Sequence, residues 1–113
     1  MPKRRSYSRE EFLKLKPKRK DFEWLEEEGK VKVKVPKFKS KMGEKFCKLL
    51  GRENVFTVNL DEKGSLIWKF CDGEHTVEEI LRELEENFPD EKDLDQRLFL
   101  YLYNLRRLGY ISY

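Results

Sequence analysis

The side chains best suited to chemistry lie within residues 68–80, WKFCDGEHTVEEI, which hold Cys71, Asp72 and His75. A thiol, a carboxylate and the only histidine at this spacing suggest a nucleophilic cysteine with its base, or part of a metal site. A zinc site needs about four ligands, whereas Cys-x3-His supplies two and the chain offers no second pair. Phosphate-binding glycine loops, paired cysteines and HExxH are also missing from the sequence. We therefore expect no catalytic residue, no metal site and no cofactor.

The elements around these three residues predict a turn between two helices. The first helix is capped by Asp61 and covers LDEKGSLIWKFC. Its apolar stripe contains Ile67, Phe70 and Cys71, so that the Cys71 sulfur points into the core. Asp72-Gly73 ends it, because glycine readily takes the left-handed conformation found at helix C-termini. TVEE, from Thr76, has the capping-box pattern that opens a second helix. The linker residue His75 has no partner evident from the sequence.

Two further helical stripes complete the C-terminal half. The helix after Thr76 has the apolar positions Val77, Ile80, Leu81, Leu84 and Phe88, and Pro89 ends it. A long last helix begins at Asp93 and is closed by Gly109. Its apolar positions are Leu94, Leu98, Tyr101, Leu105 and Leu108. The tail YISY predicts a short extended segment.

Period-2 alternation predicts three strands before these helices. A hairpin is expected over residues 21–26 and 30–35, with its turn at Glu26–Gly29 and Pro36 ending the second strand. In ENVFTVNL, Phe56, Val58 and Leu60 share one face of the third strand. The order of strands and helices predicts an α+β, winged-helix-like domain, a three-stranded antiparallel sheet packed on three helices.

Two basic segments flank the hairpin. Residues 39–50 form an extra short amphipathic helix that suits a lid over the sheet better than a weak membrane-surface contact. Residues 1–20 form a basic arm, flexible or loosely docked, beside a domain at 21–113. Within this arm Ser8 and Glu11 fit a capping box, which predicts one or two helical turns.

Charge divides the chain into two halves. Residues 1–50 carry 17 lysines and arginines against 8 acidic residues, and residues 51–113 carry 8 against 14. A basic half suits an anionic partner, and a winged-helix nucleic-acid binder is the alternative function. The helix after Thr76 is nevertheless strongly acidic and would repel DNA. The acidic residues of this helix are Glu78, Glu79, Glu83, Glu85 and Glu86, and the linker before it adds Glu74.

Composition indicates a single folded domain whose Lys- and Glu-rich surface is typical of a hot environment. Two isolated cysteines favour reduced thiols, and no apolar run is long enough to span a bilayer. We expect a cytoplasmic protein, since a signal-peptide core is absent from the first residues.

The last helix has more apolar surface than a single core stripe needs, because Phe99 and Leu102 lie beside that stripe. An apolar helix next to an unpaired strand suits a peptide that adds to the sheet as a further strand. Burial by a second copy of the chain, or by the basic arm, is the alternative. Monomer and homodimer both remain open.

Several motifs together resemble the PqqD family, the prototype of the RiPP recognition element. They are VxVPKFK, VNLDEKGSLIW, FCDG, HTVEEI and a closing LxxLxxLGYI, and the resemblance covers about residues 21–113. It implies a winged-helix chaperone without catalysis that binds the leader segment of a precursor peptide. The chaperone presents this leader to a modifying enzyme, often a radical S-adenosylmethionine (SAM) protein. The basic arm departs from the compact family pattern.

The resemblance also implies a position for the peptide. The added strand would pair with the third strand and face the last helix. The implied strand residues are Val55, Phe56, Thr57, Val58 and Asn59. The implied helix residues are Leu98, Phe99, Leu102 and Arg106.

Overall fold

A computed structural model describes residues 7–36, 45, 48–49, 51 and 55–113. The chain forms two compact units. One is Asp21–Ser65, and the other combines Met1–Lys20 with Leu66–Tyr113. The predicted α+β class with a three-stranded antiparallel sheet is confirmed. Among the described residues, no helix is long and apolar enough to cross a membrane.

The unit Asp21–Ser65 contains the three-stranded sheet. Strands β2 (Glu23–Glu27), β3 (Lys30–Pro36) and β4 (Val55–Asn59) lie in that order, and both neighbouring pairs are antiparallel. (Strand β1 belongs to the other unit.) The predicted hairpin is confirmed, and its connection is the two-residue turn Glu28-Gly29. Both turn residues have positive φ, 52° and 79°, which is the type I′ geometry that matches the twist of the strands.

The two faces of this sheet follow the sequence alternation. The valines of β3, Val31, Val33 and Val35, are buried, and two of them stand opposite apolar residues of β4. Val33 faces Val58 and Val35 faces Phe56, so the predicted apolar face is confirmed. In β2, by contrast, every residue is exposed, and this strand lies at the edge of the sheet.

Most of the predicted amphipathic helix at residues 39–50 lies outside the described residues. Within it, Lys45, Lys48 and Leu49 are helical, and Leu49 is exposed. Gly51, the predicted end of this helix, has a φ of 69° and donates its N–H to the carbonyl oxygen of Lys48 at 3.1 Å.

The helix after β4, α2 (Glu62–Phe70), begins at the predicted cap. The Asp61 carboxylate accepts the N–H of Gly64 at 2.7 Å. One turn later, the buried Ser65 hydroxyl accepts the N–H of Val31 at 2.7 Å and donates to the carbonyl oxygen of Leu60 at 3.3 Å. Ser65 therefore ties the first turn of the helix to β3 and to Leu60, the residue that follows β4. This role of Ser65 was not predicted from the sequence.

The buried stripe of α2 differs in part from the prediction. Ile67 and Cys71 are buried as expected, but Phe70 is only half-buried. Trp68, absent from the predicted stripe, is completely buried.

Helices α3 (Val77–Asn87) and α4 (Leu94–Arg107) follow. The capping box of Thr76 and Glu79 is confirmed. Helix α3 buries Val77, Ile80, Leu81 and Leu84, and α4 buries Leu94, Leu98, Leu102 and Leu105.

Two positions of the predicted α4 stripe were wrong. Leu108, assigned to the buried stripe, is 58% exposed, whereas Leu102, assigned to the strip beside it, is 0% exposed. Leu108 lies beyond the end of the helix, where the chain turns through Gly109 at a φ of 83°. The last buried position of the α4 stripe is Leu105.

The N-terminal residues form a helix and a strand of their own. Helix α1 (Arg9–Leu13) has the predicted capping box between Ser8 and Glu11. Strand β1 (Lys18–Arg19) pairs antiparallel with β5 (Ile111–Ser112). The sequence predicted the extended tail but not its partner strand β1.

The segment around β1 also contacts the turn after α2. The Arg19 N–H donates to the carbonyl oxygen of Cys71 at 2.7 Å, and the Gly73 N–H donates to that of Pro17 at 2.9 Å. The Leu15 carbonyl oxygen accepts the N–H of Val77, the first residue of α3, at 2.9 Å. Residues 15–19 are thus hydrogen-bonded to several elements of their unit.

The hairpin turn makes a stability prediction. Glu28 has a side chain in the left-handed region, which asparagine tolerates better than glutamate. Glu28→Asn should therefore raise the free energy of unfolding by about 0.5–1 kcal/mol, measured by urea denaturation. Glu28→Gln is the matched control, because it removes the same charge but retains the strained backbone. Equal stabilisation by both variants would assign the effect to charge.

Candidate functional site

The turn after α2 is built around Asp72. One carboxylate oxygen accepts the backbone N–H groups of Glu74 at 2.9 Å and His75 at 3.0 Å. The other lies 2.7 Å from Nδ1 of His75. Gly73 completes the turn with a φ of 80°. No partner for His75 was evident from the sequence, but in the structure its ring binds Asp72 and meets the Phe70 ring edge to face at 4.8 Å.

Opposing effects set the pKa of Asp72. Desolvation raises it, but the hydrogen bonds from the two backbone N–H groups and from the His75 ring outweigh this effect. The pKa of Asp72 therefore lies below its ordinary value, and the carboxylate is ionised at neutral pH. Because an ionised carboxylate only accepts hydrogen bonds, Nδ1 of His75 is the donor.

Cys71 does not act as a nucleophile beside Asp72 and His75. Its side chain is 0% exposed, and desolvation raises its pKa to about 12, although the charge of Arg19 opposes the shift. The thiol is therefore protonated at neutral pH, whereas a nucleophilic cysteine needs a thiolate. In the described part of the chain, no three His, Cys, Asp or Glu residues are grouped so that they could hold a metal ion.

The outer edge of β4 is the first part of the predicted peptide site. The Leu60 N–H donates to the Val31 carbonyl oxygen at 2.9 Å, which fixes the phase of the ladder between β3 and β4. Hydrogen-bonded pairs alternate along an antiparallel ladder, so in β4 the backbone groups of Phe56 and Val58 point toward β3. Those of the other three residues, Val55, Thr57 and Asn59, point to the outer edge. Among the described residues, no strand pairs with β4 on that side.

The side chains of β4 are largely accessible. Phe56 is 43% exposed, Val58 is half-buried, and Thr57 and Asn59 are exposed on the opposite face. Val55 stands opposite Pro36, which has no N–H to donate. This proline occupies a position of the ladder where no hydrogen bond to β4 is required.

The helix residues of the predicted site fall into two groups. Leu98 and Leu102 belong to the core stripe of α4 and are almost completely buried. Phe99 is half-buried, and the guanidinium carbon of the exposed Arg106 lies 4.7 Å from the centre of the Tyr113 ring. Phe99 and Arg106 are therefore the accessible part of the predicted helix set.

Helix α1 contacts the same flank of α4. The Phe12 ring lies 5.0 Å from that of Phe99 and 5.4 Å from that of Tyr113, edge to face in both cases. Arg9 binds Asp95 at 2.8 Å and lies 5.3 Å from the centre of the Phe99 ring. Burial of this surface by the basic arm was an alternative expected from the sequence, but these residues of the arm were not predicted. Phe12 follows the Ser8 cap by four positions, a signal that could have placed it on one face of α1.

The acidic surface predicted for α3 is present. Its glutamates are exposed or half-buried, and Glu78 pairs with Arg82 at 2.7 Å. This surface disfavours a DNA-reading role for the helix, since it would repel phosphates.

Burial of the thiol leads to a labelling prediction. In a Cys47→Ser background, Cys71 of the folded protein should react with a thiol reagent at pH 8 at least about 100-fold more slowly than in urea, because the reagent needs an accessible thiolate. Mass spectrometry of timed samples measures both rates. Rapid labelling of the folded protein would contradict the assignment of Cys71 to the core.

The lowered pKa of Asp72 leads to a pH prediction. A group whose pKa is lowered by folding contributes stability above its unfolded value, about 3.9, and loses it as pH falls through the folded-state pKa. Wild type should therefore be more stable than Asp72→Asn by about 1 kcal/mol at pH 7, and the difference should shrink below about pH 4. Asp90→Asn, in the exposed loop after α3, is the control. A difference that is constant from pH 7 to pH 2.5 would refute the ionic role.

Comparisons with known proteins bear on the motifs of this turn and its flanking elements. The family model of coenzyme PQQ synthesis protein D (PqqD) matches residues 49–111, more than half of the chain. The comparisons with curated proteins and with solved structures find no match. The matched segment includes β4, the Asp72-Gly73 turn, and helices α2, α3 and α4. The resemblance inferred from the sequence is thereby confirmed, and the chain belongs to the PqqD family.

Proposed function

We propose that this protein binds the leader segment of a precursor peptide as an added strand on β4 and presents it to a modifying enzyme of the radical SAM type. The PqqD family consists of chaperone-like proteins without catalysis of their own, which bind a peptide and act with an enzyme of pyrroloquinoline-quinone biosynthesis. Family membership supports the peptide and the enzyme partner in general terms. The mode of binding, the class of the enzyme and the cytoplasmic location of the protein are our proposal.

The observation that carries this proposal is the outer edge of β4. Backbone groups of Val55, Thr57 and Asn59 point away from β3, and no described strand pairs with them. Such an edge is a template for an added strand, whose backbone hydrogen bonds supply affinity independent of the peptide sequence. A leader of about five extended residues would pair with the full length of β4.

Sequence preference would come from side chains. Alternate residues of an added strand point to the same face as Phe56 and Val58, and apolar peptide residues would contact them there. On α4 we assign the contacts to Phe99 and Arg106, whereas the buried Leu98 and Leu102 support the helix from within. Arg106 would favour an acidic or carboxylate group in the peptide.

Titration with a precursor peptide encoded beside this gene tests the proposal. We expect backbone amide shifts in a ¹⁵N-labelled sample to be concentrated at Val55–Asn59 and along α4. Shifts confined to other surfaces would refute the assigned site residues.

Thr57→Pro tests strand addition more directly. Proline at this position removes an N–H that points outward and leaves the hydrogen bonds to β3 intact, so the sheet should persist. We expect peptide affinity to fall about tenfold or more, because one backbone hydrogen bond is lost and the proline ring obstructs the incoming strand. Thr57→Val is the matched control, since it removes the hydroxyl and retains the N–H. Equal affinities of the proline and valine variants, measured by calorimetry, would exclude pairing at this edge.

A further inference from the structure

Residues 7–13 contact the flank of α4 that the proposed function assigns to the peptide. Phe12 packs on Phe99 and Tyr113, and Arg9 reaches both the Phe99 ring and the Asp95 carboxylate. The Tyr7 ring adds a tilted contact with that of Tyr113 at 6.4 Å. An aromatic cluster and an ion pair therefore occupy this flank in the structure.

These residues lie at the surface, where their contacts are partly exposed to solvent. Helix α1 is five residues long and contains no buried residue, and a helix this short is marginal without tertiary contacts. In the Arg9–Asp95 pair the side chains are 56% and 31% exposed, so that solvent screens their attraction. Such contacts can break without disturbing the core.

The next residues of the chain are held differently. Backbone groups of residues 15–20 hydrogen-bond to Val77, Gly73, Cys71 and Tyr110, and β1 pairs with β5. The Arg19 guanidinium also donates to the carbonyl oxygens of Trp68 and Lys69, both at 2.8 Å. The N-terminal segment thus consists of a firmly bonded base, residues 15–20, and a lightly held tip, residues 7–13.

We infer that the tip is a displaceable cover, which occupies the surface formed by Asp95 and Phe99 of α4 together with Tyr113 and gives way to an incoming peptide. This inference rests on the proposed function, because it concerns access to the same helix. The contacts of the tip also indicate the chemistry of the segment that replaces it. A suitable peptide has an aromatic residue for the Phe99–Tyr113 surface and a cation for Asp95, as Phe12 and Arg9 provide in the tip.

A cover of this kind lowers the apparent affinity for the peptide. The apparent dissociation constant equals the intrinsic one divided by the fraction of molecules in which the tip is displaced. Weakening the tip raises this fraction and must tighten peptide binding, although a contact has been removed. Substitution of a residue that lined the peptide site would instead weaken peptide binding.

Substitutions in the full chain separate these outcomes, with the precursor peptide of the preceding section as the probe. Phe12→Ala and Arg9→Ala should each tighten peptide binding about three- to tenfold, measured by calorimetry. The exposed Glu10 lies in the same helix, and Glu10→Ala is the control with unchanged affinity. Unchanged affinity of the first two variants would overturn the cover and leave the proposed function standing. Weaker binding would also overturn it, because Phe12 and Arg9 would then belong to the peptide site.

A second probe tests the cover without any precursor peptide. A synthetic peptide of residues 7–15 should bind the full-length Phe12→Ala variant in trans at least threefold more tightly than it binds wild type, with amide shifts at Asp95 and Phe99. The same peptide with alanine in place of Phe12 should not produce these shifts. Binding of the arm peptide without any binding of the precursor would refute the proposed function alone. Equal or absent binding to both proteins would refute the cover.

Discussion

The backbone pairing of residues 17–19 holds together the unit that contains α3, α4 and the C-terminal part of α2. On one side these residues bond to the turn at residues 71–73, and on the other they pair with β5. Arg19 also donates to the carbonyl oxygens of Trp68 and Lys69 in the last turn of α2, where the helix itself runs out of backbone donors. The end of α2, the start of α3 and the C-terminal strand are therefore all positioned against one short extended segment.

The sheet depends on a comparable constraint within β3. The backbone groups of its valines bond to β4, and those of its lysines bond to β2. Each outer strand therefore has alternate residues whose backbone groups point toward solvent or a ligand. The same alternation places the valine side chains in the core and the lysine side chains on the other face. One seven-residue stretch thus decides both which side chains the sheet buries and which backbone groups of β4 are available to a peptide.

Features with local causes could be predicted from the sequence. The capping boxes at Ser8 and Thr76, the valine–lysine alternation and the glycine after Asp72 each depend on residues a few positions apart, and the structure has all of them. The Asp72–His75 contact is equally local, and its spacing of three residues could have revealed it. The resemblance found in these motifs also gave the family, although the binding mode on β4 and α4 remains a proposal.

Features set by distant contacts could not be predicted. Strand β1 is two residues long and shows no alternation, and its partner lies at the other end of the chain. The rotation of α4 that buries Leu102 and exposes Leu108 depends on packing and on where the helix ends, which periodicity alone fixes only approximately. For the same reason the sequence left open whether residues 1–20 would cover the flank of α4.

The pairing of β1 with β5 also sets an order of events during synthesis. The unit Asp21–Ser65 is continuous and can form its strand pairs as soon as Ser65 has left the ribosome. The other unit is discontinuous, with segments on both sides of Asp21–Ser65, so that Arg19 can pair only after Ile111 has been synthesised. At about 5–20 residues per second this delay lasts on the order of 5–20 s. Until then the nascent chain carries β1 without its partner strand, and its backbone groups are accessible to a ribosome-associated chaperone.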